Sequence, residues 1–529
     1  MAQHRTTLSL RATTLLCALS GLLLSLCFPP AGLWFLAWVA LVPWLIALRL
    51  GRGGAAFLGS WVGGFVFFGA LCYWLYLFGV SVLALAAAAF GLWLALWAMS
   101  VRWIGRLGTA PRMIGIAVLW CGVEWVRGLG DFGFTWGWLG YSQSPCPDLL
   151  PVARFAGTLG LSFLIALVNA AVAEVVIAGI RGERPGRAWL RAGAMLAVVA
   201  LCLFGARAIA KKLPRPGGPE IRAVIIQGSA HGPLTAQDVN IPPSAAEQRK
   251  TLDIYGSLTV KAAKQRPALV IWPESVIPGA PEAQPWIAAR LSQIARSSDA
   301  WLLAGGPYYD DRGRTFNSAY LYSPTGNLTS RYDKVQLVPF GEYVPGRAWL
   351  PLLKRYHVRE FDFAPGAVHP VLQAGTIAVG PMICFESTFP AIAWQLADRR
   401  AQVLVIITND AWFGRTAAAA QHQQIAVLRA VETGRWVLRG ASTGISSIIS
   451  PDGRVAAEAG MYERSVLSAT VRLAAGKRGP AGQPLFAWTM VTLAIAYLIV
   501  PAALPRGRGP APAARRPRAP RPRGKAAPR

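Results

Sequence analysis

Cys384 is the only cysteine between residues 213 and 480, a polar stretch held between long apolar runs. It sits in Pro381-Met382-Ile383-Cys384-Phe385-Glu386-Ser387, directly after the apolar residues 376–380, where a nucleophile at a strand-to-helix turn would stand. Upstream lie Glu274, in Trp272-Pro273-Glu274-Ser275, and Lys334, in Tyr332-Asp333-Lys334-Val335. An acid, a lysine and a thiol fit acyl chemistry together. The thiolate is the attacking species, and a free thiol ionises only near pH ~8.5. A carboxylate can take its proton, and a lysine beside the reacting carbonyl can stabilise the oxyanion and help keep the thiolate ionised. The backbone N–H of Phe385 offers a second oxyanion donor. Each residue also has a plainer reading: a Glu after a buried strand can cap a helix, and a lone Cys most often fills a core. The joint fit of roles points to catalysis.

The surrounding pattern supplies elements to position them. Apolar strand runs fall at 221–226, 268–272, 301–304, 319–322, 376–383 and 403–408, with helical stretches such as 286–297 and 421–436 between them. Continuous apolar strands flanked by helices predict a sheet covered on at least one face. Three of the runs end in polar groups: one in Glu274, one in Cys384 and one in Thr408-Asn409-Asp410. Strand ends are where α/β folds gather their sites.

The chain of 529 residues is 54% hydrophobic, with a mean hydropathy of +0.39. Residues 12–48 and 53–101 carry no Asp, Glu, Lys or Arg. At about 20 residues per crossing, each predicts a pair of helices, the first turning at Pro29-Pro30 and the second near Gly79. Further runs at 113–124, 158–180, 188–206 and 484–504 bring the expected number of transmembrane helices to about eight. The net charge of +28 is spread over short loops, at Arg5, Arg11, Arg49, Arg52, Arg102, Arg106, Arg112 and Arg181, and over a tail in which residues 506–529 hold nine Lys/Arg. Basic loops on one side mark that side as cytoplasmic, which puts residues 213–480 on the other. No nucleic-acid partner is expected, because a phosphate-binding groove gathers its charge on one folded face. The tail, rich in Pro, Arg and Ala, is expected to be disordered and to lie against anionic lipid. Neither the cysteines nor the five histidines show ligand spacing, so no metal and no cofactor is expected.

These motifs resemble the carbon–nitrogen hydrolase (nitrilase) superfamily and, within it, the apolipoprotein N-acyltransferases. The resemblance rests on Trp272-Pro273-Glu274-Ser275, Phe316-Asn317-Ser318, the run from Tyr332 to Pro345, Ile383-Cys384-Phe385-Glu386, Thr408-Asn409-Asp410-Ala411-Trp412-Phe413-Gly414, Gln421-His422, Arg429-Ala430-Val431-Glu432-Thr433-Gly434-Arg435 and, in the apolar part, the stretch from Trp136 to Gln143. It implies a polytopic helical membrane domain at 1–212, an extracytoplasmic αββα sandwich at 213–480, a last transmembrane helix at 481–505 and a cytoplasmic tail at 506–529. It also implies an inner-membrane enzyme, sufficient as a monomer. A phospholipid would donate an acyl chain to Cys384, and the N-terminal amine of a diacylglyceryl apolipoprotein would accept it. Glu274 would be base and then acid, and Lys334 the oxyanion stabiliser. Glu342 and Glu386 would orient Lys334 and the site, and Asn317 would support the pocket. The family often has Tyr where Phe385 stands, so a hydroxyl contact is absent here. The segment after Gln227-Gly228 has no Trp, and Arg415 stands where an acid is common. Trp349, Leu350 and Leu353, an apolar patch between basic residues, are a candidate lid that dips into the outer leaflet.

The residues alone leave other readings open: a membrane-tethered amidase or nitrile hydrolase, acyl transfer to a different amine, or a scaffold without catalysis.

Overall fold

The computed structural model describes residues 7–183, 185–212, 217–230, 243–346, 362–475 and 482–503. Seven apolar helices come first: α1 (Leu10–Leu26), α2 (Val42–Leu50), α3 (Gly53–Leu71), α4 (Val80–Trp103), α5 (Thr109–Arg127), α6 (Pro151–Ile180) and α7 (Pro185–Lys212). Five helices in the described residues are long and apolar enough to cross a membrane: Gly53–Leu71, Val80–Arg106, Pro151–Ile180, Gly186–Lys212 and Gly482–Val500. The remaining three candidates fall short of that for local reasons. α1 has 17 residues. The next run breaks into a 3-10 turn, Trp34–Trp38, and the nine-residue α2. α5 carries the buried Arg112, Glu124 and Arg127. The turn near Gly79 is present: a 3-10 turn ends there and α4 begins, with Gly79 at φ 122°.

The polar part is two six-stranded sheets. Its first strands and helices are β1 (Glu220–Gln227), α8 (Ala245–Ala263), β2 (Leu269–Ile271), α9 (Pro285–Ser298), β3 (Trp301–Tyr309), β4 (Thr315–Tyr322) and β5 (Leu328–Asp333). Then come β6 (Leu372–Ala374), β7 (Ile377–Ile383), α10 (Pro390–Asp398), β8 (Val403–Thr408), α11 (Ala418–Thr433), β9 (Val437–Ala441), β10 (Ser446–Ile449), β11 (Val455–Ala459) and β12 (Ser465–Arg472). One sheet runs β12-β1-β2-β3-β4-β5 and the other β11-β10-β9-β8-β7-β6. Within them β1-β2-β3 and β7-β8-β9 are parallel. The six expected strands are all found. The helix expected to 436 ends at Thr433, where Gly434 takes φ 63°.

Side chains alternate faces along a strand, and here both faces are used. Ile225, Ile271 and Leu303 of one sheet pack against Val405, Ile407 and Ile383 of the other in an inner core. Val224, Val270 and Leu302 face outward onto Leu252 and Tyr255 of α8 and Ile287 and Leu291 of α9. α9 buries Ile287, Leu291 and Ile294 along one stripe, the spacing of an amphipathic helix. On the far side, Met382, Leu404 and Ile406 pack with Leu396 of α10 and Leu428 of α11, and this core runs on without a break into Trp136 and Trp138, in the connection between α5 and α6, and Leu159 of α6. The sandwich is therefore helix–sheet–sheet–helix, and its last helical layer is shared with the membrane part. α12 (Gly482–Ala503) then returns to pack on α5 and α6.

Candidate active site

β7 ends at Ile383, and Cys384 opens a 3-10 turn, Cys384–Thr388. Its φ is +52°, a left-handed conformation that costs a side-chain-bearing residue about 1–2 kcal/mol. The chain turns sharply there and presents a partly buried thiol. The early N–H groups of such a turn, Phe385 among them, have no partner inside it. Burial pushes the Cys384 thiol up, well above its ordinary value. Glu274 adds to the rise, while Lys334 and the Thr408 hydroxyl oppose it. A thiol so placed favours its neutral form and would need a base before it could attack.

Glu274 stands three residues beyond the end of the short β2, in a turn braced by the neighbouring strand: Gly305 donates to the Pro273 carbonyl at 3.1 Å, and its own carbonyl accepts from Val276 and Ile277. A Cβ on Gly305 would lie 2.6 Å from the Pro273 oxygen and 2.7 Å from Glu274 Cα, so only glycine lets this turn close. The carboxylate accepts from Asn317 Nδ2 at 2.7 Å and from the Asn409 N–H at 2.6 Å. Burial raises its pKa, with Glu342 adding and Lys334 opposing. This carboxylate exchanges its proton closer to neutrality than an exposed glutamate does.

Lys334 follows the edge strand β5 and is 1% exposed. Its ammonium is 2.9 Å from Glu342 and 3.8 Å from Glu274 Oε1. Burial works against its charge, but Glu342, Glu274 and Cys384 outweigh burial and hold its pKa above the ordinary lysine value. Glu342 is itself fixed by Asn317 Nδ2 at 3.0 Å and the Val338 N–H at 2.8 Å.

Glu386 does not touch Lys334's ammonium. Its Oε1 accepts from the Tyr332 hydroxyl at 2.6 Å and from the N–H groups of Val335 and Gln336, and its Oε2 from the Ile383 N–H at 2.7 Å. It thus ties the segment that carries Lys334 to the strand end that carries Cys384. Asn317, through one amide, bridges Glu274 and Glu342. Phe385 packs edge-on against Phe389 at 5.0 Å. Trp349, Leu350 and Leu353 lie outside the described residues, as does the end of the segment after Gln227-Gly228.

Three groups here, Thr408, Asn409 and Asp410, carry no assigned role in the sequence, and His422 is expected from it to make a structural hydrogen bond rather than a Cys–His pair. Asn409 gives its N–H to Glu274, and the Thr408 hydroxyl bears on the thiol. Asp410 is buried against Arg439 at 2.7 Å. Burial opposes its charge, but Arg439 and His422 hold it well below the carboxylate range. His422 Nε2 is 3.2 Å from the Cys384 carbonyl and 2.8 Å from Ser387 Oγ, and Nδ1 faces Asp410 and Arg439. Both ring nitrogens are engaged away from the thiol, so the geometry is that of a brace behind the turn. His422→Asn is expected to slow thioester formation by less than about 10²-fold, the lower end of what a lost acid–base group costs. Complete loss in that variant would make a Cys–His pair the better reading.

Two contacts seat the site on the apolar helices. Gln421 accepts from the indoles of Trp136 (2.8 Å) and Trp74 (3.3 Å) and donates to the carbonyls of Pro29 and Leu71. Glu432 accepts from the N–H and hydroxyl of Thr158, both at 2.7 Å, where α6 kinks at Gly157 (φ 67°). Arg429 pairs with Glu432 at 2.9 Å and also reaches Thr158.

Residues 236–479 match the carbon-nitrogen hydrolase family, and residues 20–171 match the apolipoprotein N-acyltransferase N-terminal domain. The polar part is thus a carbon–nitrogen hydrolase domain with a cysteine at its centre, joined to apolar helices. The apolipoprotein N-acyltransferase of Geobacter metallireducens is 34% identical over 482 residues, covering 88% of this chain and 91% of that one. Those of Pseudomonas syringae pv. tomato and Azotobacter vinelandii are 30% and 32% identical, each over 86% of this chain and 89% and 88% of their own. An amidase crystal structure from Nesterenkonia sp. is similar with a TM-score of 0.37 at 21% identity, covering 48% of this chain and 90% of that one. The chain belongs to the apolipoprotein N-acyltransferase family.

Proposed function

We propose that the chain transfers an acyl group from a membrane phospholipid, through a thioester on Cys384, to the N-terminal amine of diacylglyceryl-cysteine in apolipoproteins. The observation that carries this is the meeting of Glu274, Lys334 and Cys384 at three chain turns, the last of which is tied to the apolar part where the Thr388 carbonyl accepts from the hydroxyls of Thr135 at 2.8 Å and Tyr141 at 3.1 Å. Glu274 takes the thiol proton. The thiolate adds to the ester carbonyl, and the oxyanion is met by Lys334 Nζ and the Phe385 N–H. Collapse expels the lysophospholipid oxygen, which takes the proton back from Glu274. The acceptor amine then adds to the thioester, loses a proton to Glu274, and collapse gives the amide and the thiolate, which regains that proton.

In this reading α1, the segment Trp34–Leu50 that ends in α2, α3–α7 and α12 each cross the bilayer, and residues 213–480 face away from the cytoplasm. The bacterial inner membrane is the setting, and a monomer suffices. The basic residues at the far ends of α2, α4 and α6 support that sidedness, and 506–529 is then a cytoplasmic tail. Phospholipid and a diacylglyceryl-cysteine peptide are expected to give N-acyl peptide and lysophospholipid in equal amounts. Free fatty acid or ammonia, with the peptide untouched, would make it a hydrolase. A membrane-impermeant thiol reagent should reach a cysteine placed at exposed Ser257 in spheroplasts, and failure to do so would reverse the orientation.

A further inference from the structure

The end of the helix bundle away from the sandwich holds a cavity of about 160 Å³ between α2, α4, α5 and α6, room for about five waters. Arg49, Arg102, Arg106 and Arg112 line it, with Glu174 as the one carboxylate among the lining residues. That carboxylate is fully occupied: Arg112 grips it through Nε at 2.9 Å and Nη2 at 2.8 Å. The other three guanidiniums turn to neutral groups. Arg102 donates to the carbonyls of Leu48 and Gly51, Arg49 donates to the Gly105 carbonyl at 3.3 Å, and Arg106 lies 4.7 Å over the Trp103 ring. Arg49 Nε is buried with no hydrogen-bond partner. Four guanidiniums thus face one carboxylate in a hollow with apolar walls.

Basic residues at a cytoplasmic end need only be solvated on loops. That rule does not ask for a guanidinium N–H buried and unpartnered in a cavity, which is costly. A planar fork of N–H donors suits a phosphate. We propose that this cavity binds a phosphate group, that of an anionic glycerophospholipid whose glycerol and acyl carbons lie along the apolar wall. On the bilayer placement above, the lipid comes from the leaflet opposite the catalytic domain. The site bridges four helices, and along α6 Glu174 is about 24 Å from Thr158, so it is separate from the acyl-donor site.

The test uses the full chain as Cys384→Ala, which cannot consume phospholipid, titrated in detergent and read by native mass spectrometry. The probes are phosphatidylglycerol, phosphatidylethanolamine with the same acyl chains, and inorganic phosphate. Phosphatidylglycerol is expected to bind about 10-fold more tightly than phosphatidylethanolamine, with the preference falling to about twofold or less when Arg49→Gln and Arg106→Gln are added. Displacement of the lipid by millimolar phosphate would keep the anion site but assign it to free phosphate. Equal binding of the two lipids, or a preference that survives both substitutions, would overturn it. Should the double variant misfold, a photoactivatable phosphatidylglycerol decides: labelling within 42–50 or 80–106 supports the site, and labelling only elsewhere overturns it.

Discussion

Mixed with phospholipid, the intact chain is expected to gain the mass of one acyl group, released by hydroxylamine, and Cys384→Ala is expected to gain none. The effect should be complete, because no other cysteine stands between 213 and 480 and no other group at the site is placed to form the thioester. Alanine is the right replacement. It meets the same φ of +52° that cysteine does, so backbone strain is unchanged and the variant should fold. Acyl adduct on the alanine variant would move the nucleophile elsewhere. Release of fatty acid or ammonia by the wild type with no adduct would favour hydrolysis over transfer.

The second large effect is at Glu274. Burial and Glu274 both favour the neutral thiol, so in the proposed mechanism thioester formation depends on proton transfer to this carboxylate. Glu274→Gln is expected to slow it by about 10²–10⁴-fold. The pH dependence carries more information than the loss. Only the ionised carboxylate can take the proton, and its pKa is raised, so the rate should rise with pH along a limb lying above the ordinary glutamate value of about 4.3. Lys334 opposes that rise, so Lys334→Met should push the limb to higher pH while also slowing the reaction. In Glu274→Gln the limb should vanish, leaving a slow rate that climbs only as pH nears the elevated thiol range. A limb that moves to lower pH in Lys334→Met would mean that a different group is the base.

The three site turns were readable in the sequence because their strands are buried on both faces: 268–272, 376–383 and 403–408 are unbroken apolar runs that stop at a polar residue. What was not readable depends on contacts distant in sequence. β9 contains Arg439, fully buried, and an arginine inside a strand reads as exposed until Asp410 is known to face it. β5 is half polar because it is an edge strand, and its register depends on β4. Glu386 is expected to orient Lys334 and the site; it touches the segment that carries Lys334 through the Tyr332 hydroxyl and the N–H groups of Val335 and Gln336, 50 or more residues away, a link that no residue-type pattern records. Gln421 looks like any surface amide until Trp74 and Trp136 are placed beside it. The number of membrane crossings was blurred for a different reason: the run 113–124 reads as a crossing, but the helix that holds it, α5, also carries Arg112, Glu124 and Arg127 buried against protein, and hydropathy cannot distinguish such charges from ones exposed to lipid.

The seating of α11 has a practical corollary. Its buried face is completed by residues from the helix bundle, with Glu432 closing the break in α6 and Gln421 satisfying four groups of the other part. A fragment cut at 213 and 480 would carry an apolar wall and a glutamate stripped of its Thr158 partners. The hydrolase half is accordingly not a portable module. Expressed alone it should be sticky and short-lived in water, and any scheme to study its chemistry free of detergent would first have to rebuild that wall.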